Sequence, residues 1–175
     1  MSLDDYVNQF GEQGDQEEKK IDVVRNPRVE EICRLYQLYF SQITEMYSHF
    51  QERYKEAYNL AYSKLNKITP TPQDITNFSL QLKDYENSLR FSEFTGIFLS
   101  ALVDDSPDDT FEIFTEHLDT LLDGMGYKNK KNVKIIGSVG SSLGTNMKSG
   151  SLKVSGNAQY SVGDLMHNGT IIIEG

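Results

Sequence analysis

Laid against itself with a shift of 19 residues, the end of this chain matches at its glycines, its methionines and its apolar triplets. Gly137 falls on Gly156, Ser142 on Ser161, Gly144 on Gly163, Met147 on Met166 and Gly150 on Gly169. Val133-Lys134-Ile135 falls on Leu152-Lys153-Val154, and that on Ile171-Ile172-Ile173. A period near 20 with glycine at fixed places is the mark of a stack of similar coils. Corners between short straight sides need a positive φ or close approach to the coil below, and glycine allows both. Gly137, Gly144, Gly150, Gly156, Gly163 and Gly169 are the expected corner residues. Alternation along each triplet points Val133, Ile135, Leu152, Val154, Ile171 and Ile173 inward, and Lys134, Lys153 and Ile172 outward.

The run Ile136-Gly137-Ser-Val-Gly140-Ser-Ser-Leu-Gly144-Thr-Asn-Met147, with Gly150, Gly156, Val162-Gly163, Met166, Gly169 and Ile171–Ile173, resembles the glycine-repeat (GXGXG) domain. That domain closes the glutamate synthase large subunit and also occurs as a separate subunit of formylmethanofuran dehydrogenase. The resemblance covers residues 133–175, about a quarter of the chain. It implies a right-handed parallel β-helix that holds other domains in position and has no catalytic residues of its own. Family members stack more coils than the two expected of this segment. A stack that short leaves an open strand edge, so either the native chain continues past Ile173 or another subunit caps it.

Upstream, a capping residue precedes proline three times: Asn26-Pro27, Thr71-Pro72 and Ser106-Pro107. This is a helix-start signature, because the capping oxygen accepts a free N–H and proline has none to leave unpaired. Apolar spacings of three and four then predict helices over about Pro27–Ile68, Pro72–Val103 and Pro107–Asp123, closed by Gly124 and Gly126. The expected class is α+β: an antiparallel bundle of three helices over 26–126, then the short right-handed parallel β-helix, with residues 1–25 as a mobile acidic arm. Helices of such unequal length leave part of the hairpin uncovered. Tyr54, Tyr58, Tyr62, Phe78, Leu82 and Tyr85 are therefore expected to meet a second chain or a partner, together with Ile172 at the open solenoid end. The alternative is a long helix that breaks, at Ser41 or Gly96, and folds back.

A net charge of −9 argues against nucleic acid. Lys128, Lys130, Lys131 and Lys134 form the one basic cluster and read as a solvated linker, with a weak anion site as the sharper reading. No run is long and apolar enough for a membrane span, and the polar first 20 residues lack the apolar core of a signal peptide. Cys33, the only cysteine, reads as a small buried hydrophobe in a reducing cytoplasm. Gly137, Gly140 and Gly144 do not have phosphate-loop spacing. Glu45 with His49, and Glu112, Glu116 and His117, fall short of a di-iron set. Asp164 and Glu174 are too few for a polysaccharide-cleaving face. No catalytic, cofactor or metal residues are assigned. The expected function is a non-catalytic assembly protein acting by self-association or partner docking. The alternative is an accessory subunit or fragment of a glutamate-synthase-like or formylmethanofuran-dehydrogenase-like enzyme.

Overall fold

A computed structural model describes residues 26–43, 50–66 and 68–175. The arm at 1–25 and the Glu45–His49 pair lie outside the described residues. Among those described, four α-helices precede a parallel β-solenoid of about three turns. The helices are α1 (Pro27–Ile43), α2 (Phe50–Leu65), α3 (Pro72–Gln81) and α4 (Phe91–Asp105), with a 3-10 turn at Leu82–Tyr85. Strands β1 (Thr110–Phe114), β2 (Asn132–Ile136), β3 (Ser151–Val154) and β4 (Thr170–Ile173) pair in chain order, all parallel.

Register aligns Phe111, Val133, Leu152 and Ile171 in one ladder and Ile113, Ile135, Val154 and Ile173 in the next. Between them Glu112, Lys134, Lys153 and Ile172 point outward, and Lys134 pairs with Glu112 at 2.8 Å. A second side of the coil is marked by the Val139–Ala158 bridge. The third is a corner in which left-handed residues stack. Gly124, Ser142 and Ser161 have φ of 68°, 64° and 61°, Gly126, Gly144 and Gly163 have 70°, 69° and 69°, and Lys128, Asn146 and Leu165 have 55°, 58° and 53°. Gly150 and Gly169 also need positive φ. Gly156 does not, but a Cβ there would come within 2.8 Å of the Gly137 backbone, so it serves close approach instead.

Three expectations need correction. The segment expected to be a third helix, Pro107–Asp123, is β1 and the rest of a first coil. Phe111 and Ile113 alternate with exposed Thr110 and Glu112, and this two-residue period outweighed the looser helical spacing. Ser106 ends α4 rather than starting a helix, and its hydroxyl donates to the Pro70 carbonyl at 2.6 Å. The solenoid therefore has one coil more than the 19-residue repeat displayed. The helix expected over Pro72–Val103 breaks, not at Gly96 but between Leu82 and Arg90, where Arg90 adopts φ 64°; the one expected over Pro27–Ile68 is described as α1 and α2, and the link at 44–49, just past Ser41, lies outside the described residues. Leu89, an apolar residue within the helix expected over Pro72–Val103, is 74% exposed at its break.

The break changes what is buried. α4 turns back through the middle of the molecule, and every residue from Phe94 to Val103 is buried. Tyr54, Tyr58, Phe78 and Leu82 lie in the interior of the chain, not on an exposed face, and Tyr85 is half-buried against Tyr36. Tyr62 and Ile172 remain at the surface. Helices and solenoid share one continuous apolar core, from Val29 to Val154.

The helices cap the first coil. Its edge would otherwise present unpaired backbone groups. The Phe114 N–H donates to Ser79 Oγ at 3.1 Å and Thr76 Oγ donates to the Glu112 carbonyl at 2.8 Å. Ser92 Oγ donates to the Leu121 carbonyl at 2.7 Å, and Ser100 Oγ accepts from Tyr127 N–H at 3.1 Å. At Gly96 the helix backbone comes so close to the corner that a Cβ would sit 2.1 Å from the Asp123 carbonyl oxygen.

Candidate functional site

Two features of the surface stand apart from a merely solvated shell. The first is the far end of the solenoid. β4 pairs with β3 on one side only, and no described residue covers the other. Tyr160 (75%), Leu165 (54%) and Ile172 (46%) are exposed there, with Val162 and Ile173. Ile173 continues an inward ladder and is exposed because, among the described residues, no further coil stacks upon it. Charge on this coil is light: Lys153 pairs with Glu174 at 2.9 Å, leaving Asp164 and His167. Among the described residues the stack is thus asymmetric, sealed by helix hydroxyls at one end and open and apolar at the other.

The second feature is a groove of about 460 Å³ where α2 meets the stacked corner, lined by Tyr58, Tyr62, Asp104, Lys128, Lys130 and Lys148, among others. Tyr58 and Tyr62 are one helical turn apart on α2 and their rings stack, 6.2 Å between centroids at 15°. Lys128 occupies a left-handed corner position, which sets its ammonium 5.1 Å from the centre of the Tyr58 ring and 5.5 Å from that of Tyr127. Asp104 at the end of α4 accepts the Tyr58 hydroxyl at 2.7 Å and pairs with Lys130 at 3.3 Å. Burial pushes the Tyr58 phenol well above its ordinary pKa, and Asp104 adds to the rise. Burial also lowers the Lys128 ammonium, reinforced by the charges of Lys148, Lys55 and Lys130. Lys148 lies 3.0 Å from His167 Nδ1.

The sequence cluster is thereby divided. Lys128 and Lys130 face the groove. Lys131 instead holds the Asp108 carbonyl at 2.8 Å, and Lys134 is engaged by Glu112. Lys148 and the tyrosines join through the fold. No protein-family model, curated protein or solved structure matches this chain.

Among the described residues no group of three or more His, Cys, Asp or Glu side chains is placed to hold a metal ion. Cys33 is half-buried with its thiol 3.3 Å from Gln81 Oε1, and burial raises its pKa, the reverse of an activated thiolate. No described helix is long and apolar enough to cross a membrane. The capping hydroxyls of Thr76, Ser79, Ser92 and Ser100 were missed in the sequence. Their signal was small polar residues at positions where the helical stripe calls for apolar ones.

Proposed function

We propose that the protein is a non-catalytic assembly component that associates with a second copy of itself through the open end of its solenoid. The observation that carries this reading is the asymmetry of the stack. The helices satisfy the β1 edge with side-chain hydroxyls, whereas β4 presents an unpaired edge flanked by exposed Tyr160, Leu165 and Ile172. Such an edge is a template for strand addition, and two copies related by a two-fold axis supply each other's missing neighbour. Light local charge favours this in a chain whose net charge of −9 opposes close approach elsewhere. The resemblance of residues 133–175 to the glycine-repeat domain, whose role is positional, is consistent with it. Right-handed winding is part of the proposal, supported by the near-universal hand of parallel crossovers. A single free thiol fits a cytoplasmic setting.

Light scattering of the intact chain tests the reading, with Ile172→Glu and Tyr62→Ser beside the parent. Glu at 172 sits opposite Lys153 in the register, so it suits β4 while adding charge to the contact. The parent is expected to associate, Ile172→Glu to be monomeric, and Tyr62→Ser to behave as the parent. A monomeric parent at high concentration, or association unaffected by Ile172→Glu, overturns the proposal. The second reading, an accessory subunit of a larger enzyme, is favoured by the same family resemblance. It predicts a monomeric isolated chain that co-purifies with an oxidoreductase or amidotransferase subunit.

A further inference from the structure

The groove between α2 and the solenoid corner holds more positive charge than its own carboxylate balances. Asp104 is committed to Lys130 and to the Tyr58 hydroxyl. Among the described residues no carboxylate lies within ion-pair distance of Lys128 or Lys148, although both line the same groove. In a chain of net charge −9, lysines brought together without counter-ions repel one another. Lys128 stands in a left-handed corner position, equivalent to Asn146 and Leu165 on the next two rungs, and its ammonium lies over the Tyr58 and Tyr127 rings at the groove. The walls are equally specific. The exposed ring of Tyr62, stacked on Tyr58, provides an aromatic surface in the groove that these two lysines also line.

We propose that this groove binds a small phosphorylated ligand with a planar ring, its phosphate between Lys128 and Lys148 and its ring against Tyr62. Two ammonium groups match a phosphate dianion, and each contributes charge-assisted hydrogen bonds stronger than neutral ones. Tyrosine stacking is tolerant of ring identity, so the site selects the combination of ring and phosphate rather than one base. Binding relieves the repulsion among the lysines and weakens with salt, as surface electrostatics require. The open solenoid end lies on the last coil and plays no part in this site.

The test is a titration of the full chain, followed by amide and tyrosine-ring NMR, with inorganic phosphate, adenosine, adenosine monophosphate and a short single-stranded oligonucleotide. Adenosine monophosphate is expected to shift Lys128, Lys130, Lys148 and the Tyr62 ring, and to bind more tightly than phosphate or adenosine alone. Lys128→Asn preserves the left-handed backbone by borrowing the residue of the adjacent rung, and Lys148→Gln alters an exposed side chain. Each is expected to weaken binding about tenfold or more while leaving the thermal midpoint unchanged. The proposal is overturned if millimolar adenosine monophosphate and phosphate leave the groove resonances in place, or if both variants bind as the parent does. Binding confined to the oligonucleotide also overturns it, since that marks a polymer track rather than a small-ligand site.

Discussion

Replacing Gly96 with alanine sets two rules of protein stability against each other. By helix propensity alone, Gly→Ala in the middle of α4 should stabilise the protein by about 1 kcal/mol. Packing predicts the opposite. An added Cβ would lie 2.1 Å from the Asp123 carbonyl oxygen, and 3.1 Å from both the Asp123 carbonyl carbon and the Met125 nitrogen. Even weak C–H···O contacts keep carbon and oxygen about 3.3–3.6 Å apart, so helix and corner must separate by roughly 1 Å. Neither side gives easily: α4 is buried from Phe94 to Val103, and Ser92 holds Asp123 through its carbonyl, which accepts the Asp123 N–H at 2.9 Å. Overpacking of a tight core costs about 1–3 kcal/mol, occasionally more, and here it also strains the Ser100 contact to Tyr127 N–H. We expect Gly96→Ala to lose about 2 kcal/mol net of the propensity gain, or about 4–8 °C in thermal midpoint for a chain of this size. Urea denaturation followed by far-UV circular dichroism measures it, with Asn59→Ala on the exposed face of α2 as a positive control for propensity. A Gly96→Ala protein as stable as its parent, or more so, would show that the solenoid corner is not clamped by this helix.

Two further outcomes follow from the same interface. Ser79→Ala removes the acceptor of the Phe114 N–H on the solenoid's capped edge, so a loss of about 1–3 kcal/mol in urea unfolding is expected, and no loss would mean that edge is not sealed by α3. Glu86 is held down to a pKa of about 2 by its ion pair with Lys83 and by the Thr120 N–H it accepts. Because the folded value lies below the ordinary 4.5, its contribution is present above that pH and is lost as pH falls towards 2. Unfolding midpoints recorded across that range should decline less steeply for Glu86→Gln than for the parent, and identical acid limbs would refute the linkage.

What could be read from the sequence divides along the physics of each part. The later coils were legible because stacking forces like residues onto like: Gly144 over Gly163 share a φ, and Leu152 pairs with Ile171 in one ladder. The first coil hid because its strand is offset from β2 by 22 residues rather than 19, and because Phe111, Phe114, Leu118, Leu121 and Leu122 also fit a helical stripe. The break between Leu82 and Arg90 was invisible for a related reason. It has no proline or glycine to announce it, and what stabilises it is tertiary, the Glu86 carboxylate receiving Thr120 from the first coil. The groove lay half in view: Lys128 and Lys130 form a cluster in the sequence, but Lys148 and the tyrosines reach them only when the corner stacks and α2 lies alongside.

The ladder arrangement makes this fold tolerant of length in quantised steps. Each rung meets only the rungs directly above and below it, so a duplication of one complete nineteen-residue unit after Lys148 would add a layer and leave every inward side chain facing inward. An insertion of one residue within a strand would turn the Leu152 and Val154 ladders out towards water. Growth or shrinkage by whole turns alters the reach of the stack without rewriting its interior, whereas its seat on the helices, fixed by Gly96 and four hydroxyls, has no such freedom.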